Sequence, residues 1–205
     1  MPDQHDVSPN NPCPFLRALV ANGYVGGHDV PLGTLTEDIG LASGKAGIKL
    51  IGAKVAAYAI AMIANGHPLK SVISGAVLDE LRNGPLDKHG AGSRILDADA
   101  HVHLEQIDRL ASFGQECANP DGGTERGLNA QQIKTFMADN LKRAGDEARW
   151  YYPIMMQGEW PILLDIFGKG EGDERYLSVA EVRTLFVERR LPKRITDRLS
   201  PPVVT

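Results

Sequence analysis

Asn11-Pro12-Cys13-Pro14-Phe15-Leu16-Arg17-Ala18-Leu19-Val20-Ala21-Asn22-Gly23-Tyr24 sets a cysteine between two prolines at the threshold of a short helix. Pro14 suits the first helical position, where its missing N–H has no partner to lose and its φ is already helical. Asn22-Gly23 supplies the stop, with Gly23 able to take the left-handed conformation past the last turn. Cys13 is therefore expected at or next to the N-cap, near the positive end of the helix dipole, where a thiolate is favoured over a thiol. That position suits an anionic axial ligand. The competing reading is structural, because a lone cysteine is commonly just a small buried apolar side chain.

Outward from this helix, residues 1–10 read as a polar, extended N-terminal arm. Gly26 to Pro31 reads as a turn, and Thr34 to Gly40 as the start of a second helix. Residues 46–64 carry Ile48, Ile51, Val55, Ala59 and Met62 at helical spacing, with alanine on the other faces, so a central helix buried on most sides is expected there. Lys49 and Lys54 interrupt it, and the chain has no uncharged apolar run of about 18 residues, the length that reads as a membrane span. A further short helix is expected over 69–82, and a polar linker at Asn83-Gly84-Pro85. Leu104, Ile107, Leu110 and Phe113 mark one face of a helix over 103–114, and the Gly and Asn-Pro cluster between Cys117 and Gly127 reads as a surface loop. Asn129 is placed to cap a helix whose core face is Ile133, Phe136, Met137 and Leu141. Gly168, Gly170 and Gly172 form a flexible turn that lacks the ending of a phosphate loop. Ser178 and Glu181 have the spacing of a capping box, ahead of Val182, Leu185 and Phe186; Leu191-Pro192 ends that helix. Strict two-residue alternation is scarce, so the expected fold is mainly α.

The chain has 205 residues, 42% hydrophobic and 23% charged, which is enough for one good core and a single compact domain. A net charge of −4 argues against nucleic acid or an anionic membrane as the main partner. Two cysteines make no disulfide framework, and a ligand role for Cys13 leaves Cys117 over, as suits a reducing compartment. The first residues lack the basic and apolar regions of a signal peptide, so a cytoplasmic location is expected.

Pro12-Cys13-Pro14 followed by Leu16, Ala18-Leu19, Ala21-Asn22 and Gly23-Tyr24 resembles the N-terminal signature of the haem-thiolate peroxidases, the chloroperoxidase and unspecific peroxygenase family. The closing run Val182-Arg183-Thr184-Leu185-Phe186-Val187-Glu188-Arg189-Arg190-Leu191-Pro192 is similar to that family's final Phe-Phe-x-x-Glu-Arg-Leu-Pro segment. Between them, Asp97-Ala98-Asp99-Ala100-His101 looks like a diverged copy of its Glu-His-Asp-Ala-Ser segment, and Gly158-Glu159 like its Gly-Glu pair. The resemblance spans residues 11–192 and implies a peroxidase-like domain over 11–195, enclosing a haem, with a tail over 196–205. It implies haem b held by Cys13 as proximal iron ligand, flanked by Pro12 and Pro14, and Glu159 as the distal acid–base catalyst. It also implies a divalent cation such as Mg2+ near a haem propionate, with Asp97 and His101 at the positions of the family's acid and serine.

The implied activity is oxidation or oxygenation of a small organic substrate, aromatic in kind, by hydrogen peroxide. The departures matter. Ala98 stands where short members carry a distal histidine, and Tyr152 stands seven residues before Glu159, where long members carry an arginine. A haem-binding sensor or carrier without peroxide turnover is thus the alternative. A third reading takes His101-Val102-His103 as the His-x-His zinc site of a hydrolase, but no histidine follows His103 to complete the ligand set. An apolar-rich surface helix leaves room for a homodimer.

Overall fold

The computed structural model describes residues 6–44, 75–83, 92–150, 152–153 and 159–199. The backbone divides into two compact units, one of Met1–Asp87, Ala98–Ala100 and Arg189–Thr205, the other of Lys88–Asp97 and His101–Glu188. The expected helix over 46–64 lies outside the described residues, as do Met156 and Gly158.

In the first unit, helix α1 (Pro14–Ala21) begins with proline and buries Phe15, Leu16, Leu19 and Val20. Its end is a Schellman motif: Tyr24 N–H donates to Leu19 O, Gly23 N–H donates to Val20 O, and Gly23 has φ +75°. Strand β1 (Asp29–Val30) then leads through Pro31 into α2 (Leu32–Ala42). Strand β2 (Ala76–Val77) pairs antiparallel with β1 and continues into a 3-10 turn, Leu78–Asn83. The described part of the helix expected over 69–82 is therefore a strand and a 3-10 turn. Gly75 decides this: it has φ +78° and lies against the Val30 carbonyl, where a Cβ would clash.

The second unit packs helices on a three-stranded antiparallel sheet. Helix α3 (Leu104–Ser112) buries Ile107 and Leu110 of the expected face, whereas Leu104 at its first position is exposed and Phe113 is half-buried. Strands β3 (Gln115–Ala118) and β4 (Thr124–Asn129) form a hairpin where a loop is expected. The hairpin is legible only after the fact, because its residues are mostly exposed and carry no apolar alternation; the turn closes through Gly122 and Gly123, both at positive φ. Helix α4 (Ala130–Ala144) starts at a reciprocal capping box between Asn129 and Gln132 and buries Ile133, Phe136 and Met137. Helix α5 (Trp160–Phe167) places Trp160 edge-on to Phe136 and stacked near Phe186. Strand β5 (Tyr176–Ser178) pairs with β4, setting Leu128 opposite Leu177. Helix α6 (Val179–Arg183) loosens into a π turn, Thr184–Glu188. A last short helix, α7 (Lys193–Thr196), returns to the first unit after Pro192.

The fold is thus mixed α/β, rich in helix but with small antiparallel sheets, rather than purely helical. Among the described residues, no helix is long and apolar enough to cross a membrane. Gly127 allows β4 to pass the Tyr176 ring, because a Cβ at this position would overlap that ring. Gly127→Ala is expected to lower stability by about 1–3 kcal/mol through overpacking. Urea denaturation checks this, and an unchanged midpoint would refute the close approach.

Candidate functional site

Cys13 is the N-cap of α1, with extended backbone at φ −80° and ψ 112°. Its own N–H donates to Asn11 Oδ1 at 3.1 Å, and its carbonyl accepts the Arg17 N–H at 3.0 Å. The backbone of Cys13 is therefore fixed on both sides, between Pro12 and Pro14. The residue is half-buried and forms no disulfide with Cys117. One turn into the helix, Arg17 is only 3% exposed. Its guanidinium donates through Nη1 to Ser8 O and Asn11 O, at 2.9 and 3.2 Å. Burial, followed by the charges of Arg189 and Arg82, lowers the Arg17 pKa to about 10, and Cys13 acts in the opposite direction. A negative sulfur at Cys13 is attracted to this cation, in addition to the helix dipole.

Glu159 is the half-buried N-cap of α5, in the second unit. Its carbonyl accepts the Leu163 N–H at 3.0 Å, while its carboxylate does not cap the helix. Tyr152, at the position of the family's arginine, is 1% exposed and packs with Ala144, Leu141 and Ala148. It is a core residue. The structure therefore groups Pro12, Cys13 and Pro14 at one helix start and places Glu159 in the other unit.

Asp97 and His101 close a turn: Asp97 Oδ1 accepts the His101 N–H at 2.8 Å, and Asp97 N–H donates to His101 O. Their ligand atoms lie within 4.8 Å of one another, so this pair has the reach to hold a cation, although His101 is exposed. His103 is spoken for on both sides. Its Nε2 lies 3.2 Å from Asp97 Oδ2 and its Nδ1 lies 3.2 Å from Glu105 Oε1. That geometry weighs against the zinc-hydrolase reading, which requires a ring nitrogen for the metal.

Two features escaped the sequence reading. Asp38 sits in the middle of α2, 6% exposed, with Oδ2 lacking any hydrogen-bond partner. Burial, and then the charge of Glu37, pushes its pKa up to about 6. In the second unit, Glu125 accepts hydrogen bonds from Lys169 Nζ and Tyr176 OH, both at 2.7 Å, and from Ser178 Oγ at 2.6 Å. Burial by itself acts to raise the Glu125 pKa, but those three donors outweigh it and hold the carboxyl below its usual range. Lys169 also lies 3.5 Å from Glu181, so Ser178 keeps the cap expected of it while the Glu181 carboxylate faces the ammonium. Burial and the Glu125 and Glu116 charges raise the Cys117 pKa, which makes it a poor candidate for a reactive thiolate. The four members of the Glu125 group come from three segments: β4 carries Glu125, β5 carries Tyr176 and Ser178, and Lys169 bridges to Tyr176, so the group assembles only once β4 pairs with β5.

No protein-family model matches the chain, and comparison with curated proteins and with solved structures returns no match.

The raised pKa of Asp38 has a definite sign. The fold prefers the protonated acid, so this group's contribution to stability is present below its ordinary pKa of 3.8 and is lost as pH rises through about 6. Asp38→Asn is expected to stabilise the chain at pH 7 by about 1–3 kcal/mol, with the gain vanishing near pH 4. Denaturation midpoints of both proteins across that range check it; a pH-independent difference would contradict the burial of the charge.

Proposed function

We propose that the chain is a haem-thiolate peroxidase or peroxygenase, in which Cys13 is the proximal ligand of haem iron and Glu159 the distal acid–base group. The observation that carries the reading is the placement of Cys13: fixed at the N-terminus of α1 between two prolines, half-buried, outside any disulfide, with Arg17 buried one turn below. These residues fit a thiolate ligand, since both the dipole and the cation favour negative sulfur. Cys13 would hold the iron, with Pro12 and Pro14 stiffening its backbone. The haem supplies redox chemistry in which thiolate donation favours cleavage of a peroxide O–O bond. Glu159 takes the proton from the inner oxygen of hydrogen peroxide and returns it to the outer oxygen as water leaves. Asp97 and His101 would hold the divalent cation that the family keeps near a propionate. The substrate class is a small organic molecule, aromatic by analogy with the family.

One observation favours a second reading. Tyr152 fills the core at the position where long family members carry an arginine, so no cation from that position assists Glu159. A haem-binding carrier or sensor without turnover would retain Cys13 and tolerate this.

The haem-loaded chain, reduced and exposed to carbon monoxide, is expected to show the long-wavelength Soret band of thiolate ligation, lost in Cys13→Ala. A histidine-type spectrum, or one unchanged in Cys13→Ala, would refute the proximal assignment. Glu159→Gln is expected to leave the wild-type band in place while lowering peroxide-dependent oxidation of an aromatic donor about 10²–10⁴-fold. Equal turnover would remove Glu159 from the mechanism, and haem binding with no turnover in wild type would select the carrier.

A further inference from the structure

Arg17 is a cation out of place. A guanidinium this deeply buried ordinarily faces a carboxylate, because one partner of a buried ion pair left alone strongly destabilises a fold. Among the described residues, its hydrogen bonds end on two neutral carbonyls, Ser8 O and Asn11 O, and no carboxylate pairs with it. Arg189 and Arg82 add like charge from the same unit. Asn11 presents a second unmet demand. It is fully buried; its Oδ1 accepts the Cys13 N–H, and its Nδ2 has no acceptor. A buried donor without a partner forfeits its bond to water and gains nothing in return. Arg189 is itself in an uncommon conformation, φ +53°, and its carbonyl accepts from Asn22 Nδ2 at the other end of α1. An anionic Cys13 sulfur offsets part of the Arg17 charge, but Asn11 Nδ2 still lacks an acceptor, so the first turn of α1 calls for further negative charge and lone pairs.

We propose that Asn11 Nδ2 and the Arg17 guanidinium, backed by Arg189 and Arg82, form a binding site for a carboxylate. A guanidinium and an amide N–H match the two oxygens of a carboxylate. The adjoining side chains of α1, Phe15, Leu16, Leu19 and Val20, are buried in the core, so the charge pair forms in a low-dielectric setting where it is stronger than in water. Two sources share this chemistry: a propionate of a haem ligated by Cys13, or a free carboxylic acid. The site goes beyond the peroxidase reading and stands if that reading fails.

The test compares charged and neutral forms of each source on the full chain. Haem and haem dimethyl ester are titrated into wild type and Arg17→Met, and heptanoate and heptanamide are compared by thermal shift on the haem-free proteins. Haem is expected to bind about tenfold or more tightly than its ester, the worth of a charge-assisted hydrogen bond, with the preference gone in Arg17→Met. If neither porphyrin binds, the peroxidase reading falls, and an Arg17-dependent melting shift with heptanoate alone assigns the site to a free acid. No difference between charged and neutral forms in either arm overturns the proposal, as does a preference that survives in Arg17→Met. Asn11→Asp guards against misfolding of that variant. It keeps the acceptor for the Cys13 N–H, deletes Nδ2 and supplies a fixed negative charge beside Arg17. The haem-free Asn11→Asp chain is expected to melt above wild type and to lose the carboxylate preference; a retained preference overturns the site.

Discussion

The hydrogen bond from the Cys13 N–H to Asn11 Oδ1 is the contact from which the functional reading grows. It converts a flexible approach to a helix into a fixed N-cap, with proline on either side to restrict the remaining dihedrals. The Schellman closure at Asn22-Gly23-Tyr24 fixes the other end, and Asn22 Nδ2 ties that end to Arg189. A helix of eight residues has little stability of its own. Its buried face and its two anchored ends hold it in place, so the Cys13 backbone stands at a defined point one turn from Arg17.

The two units solve the problem of buried charge differently. In the second, Glu125 is surrounded by an ammonium and two hydroxyls, and Lys169 by two carboxylates, so each polar group near the β4–β5 pairing is answered by another. That network is complete, although elsewhere in the same unit Asn140 Nδ2 and Trp160 Nε1 have no partner. In the first, Arg17 faces neutral carbonyls and like charges, answered only in part by the Cys13 sulfur, Asn11 Nδ2 has no acceptor, and Asp38 Oδ2 has no donor. Unmet polar demand of this kind is uncommon in a fold and tends to gather where a ligand is handled.

Backbone chemistry was the legible part of the sequence. Pro14, Asn22-Gly23, Asn129 and Ser178 each announce a helix boundary by a local rule, and each boundary is where that rule puts it. What escaped depends on residues far apart in the chain. Ala76-Val77 is a strand because β1 is there to pair with it, and the 115–129 hairpin is polar on most of its surface, so neither shows a period of two. Arg17 looks like an ordinary surface charge on a short helix; that it is buried follows from the 6–11 segment, whose Ser8 and Asn11 carbonyls meet it. The Glu125 network is likewise invisible before β5 lies beside β4. The cysteine is legible as a ligand candidate from its neighbours in sequence, whereas the charge around it is a product of the fold.

The central claim is that Cys13 sulfur binds haem iron. Iron K-edge X-ray absorption of the haem-loaded chain tests it most directly, since it counts the light and heavy scatterers in the first shell. The account predicts one sulfur in the first shell of wild type and none in Cys13→Ala. A shell of nitrogen and oxygen alone in wild type, with haem demonstrably bound, would contradict it.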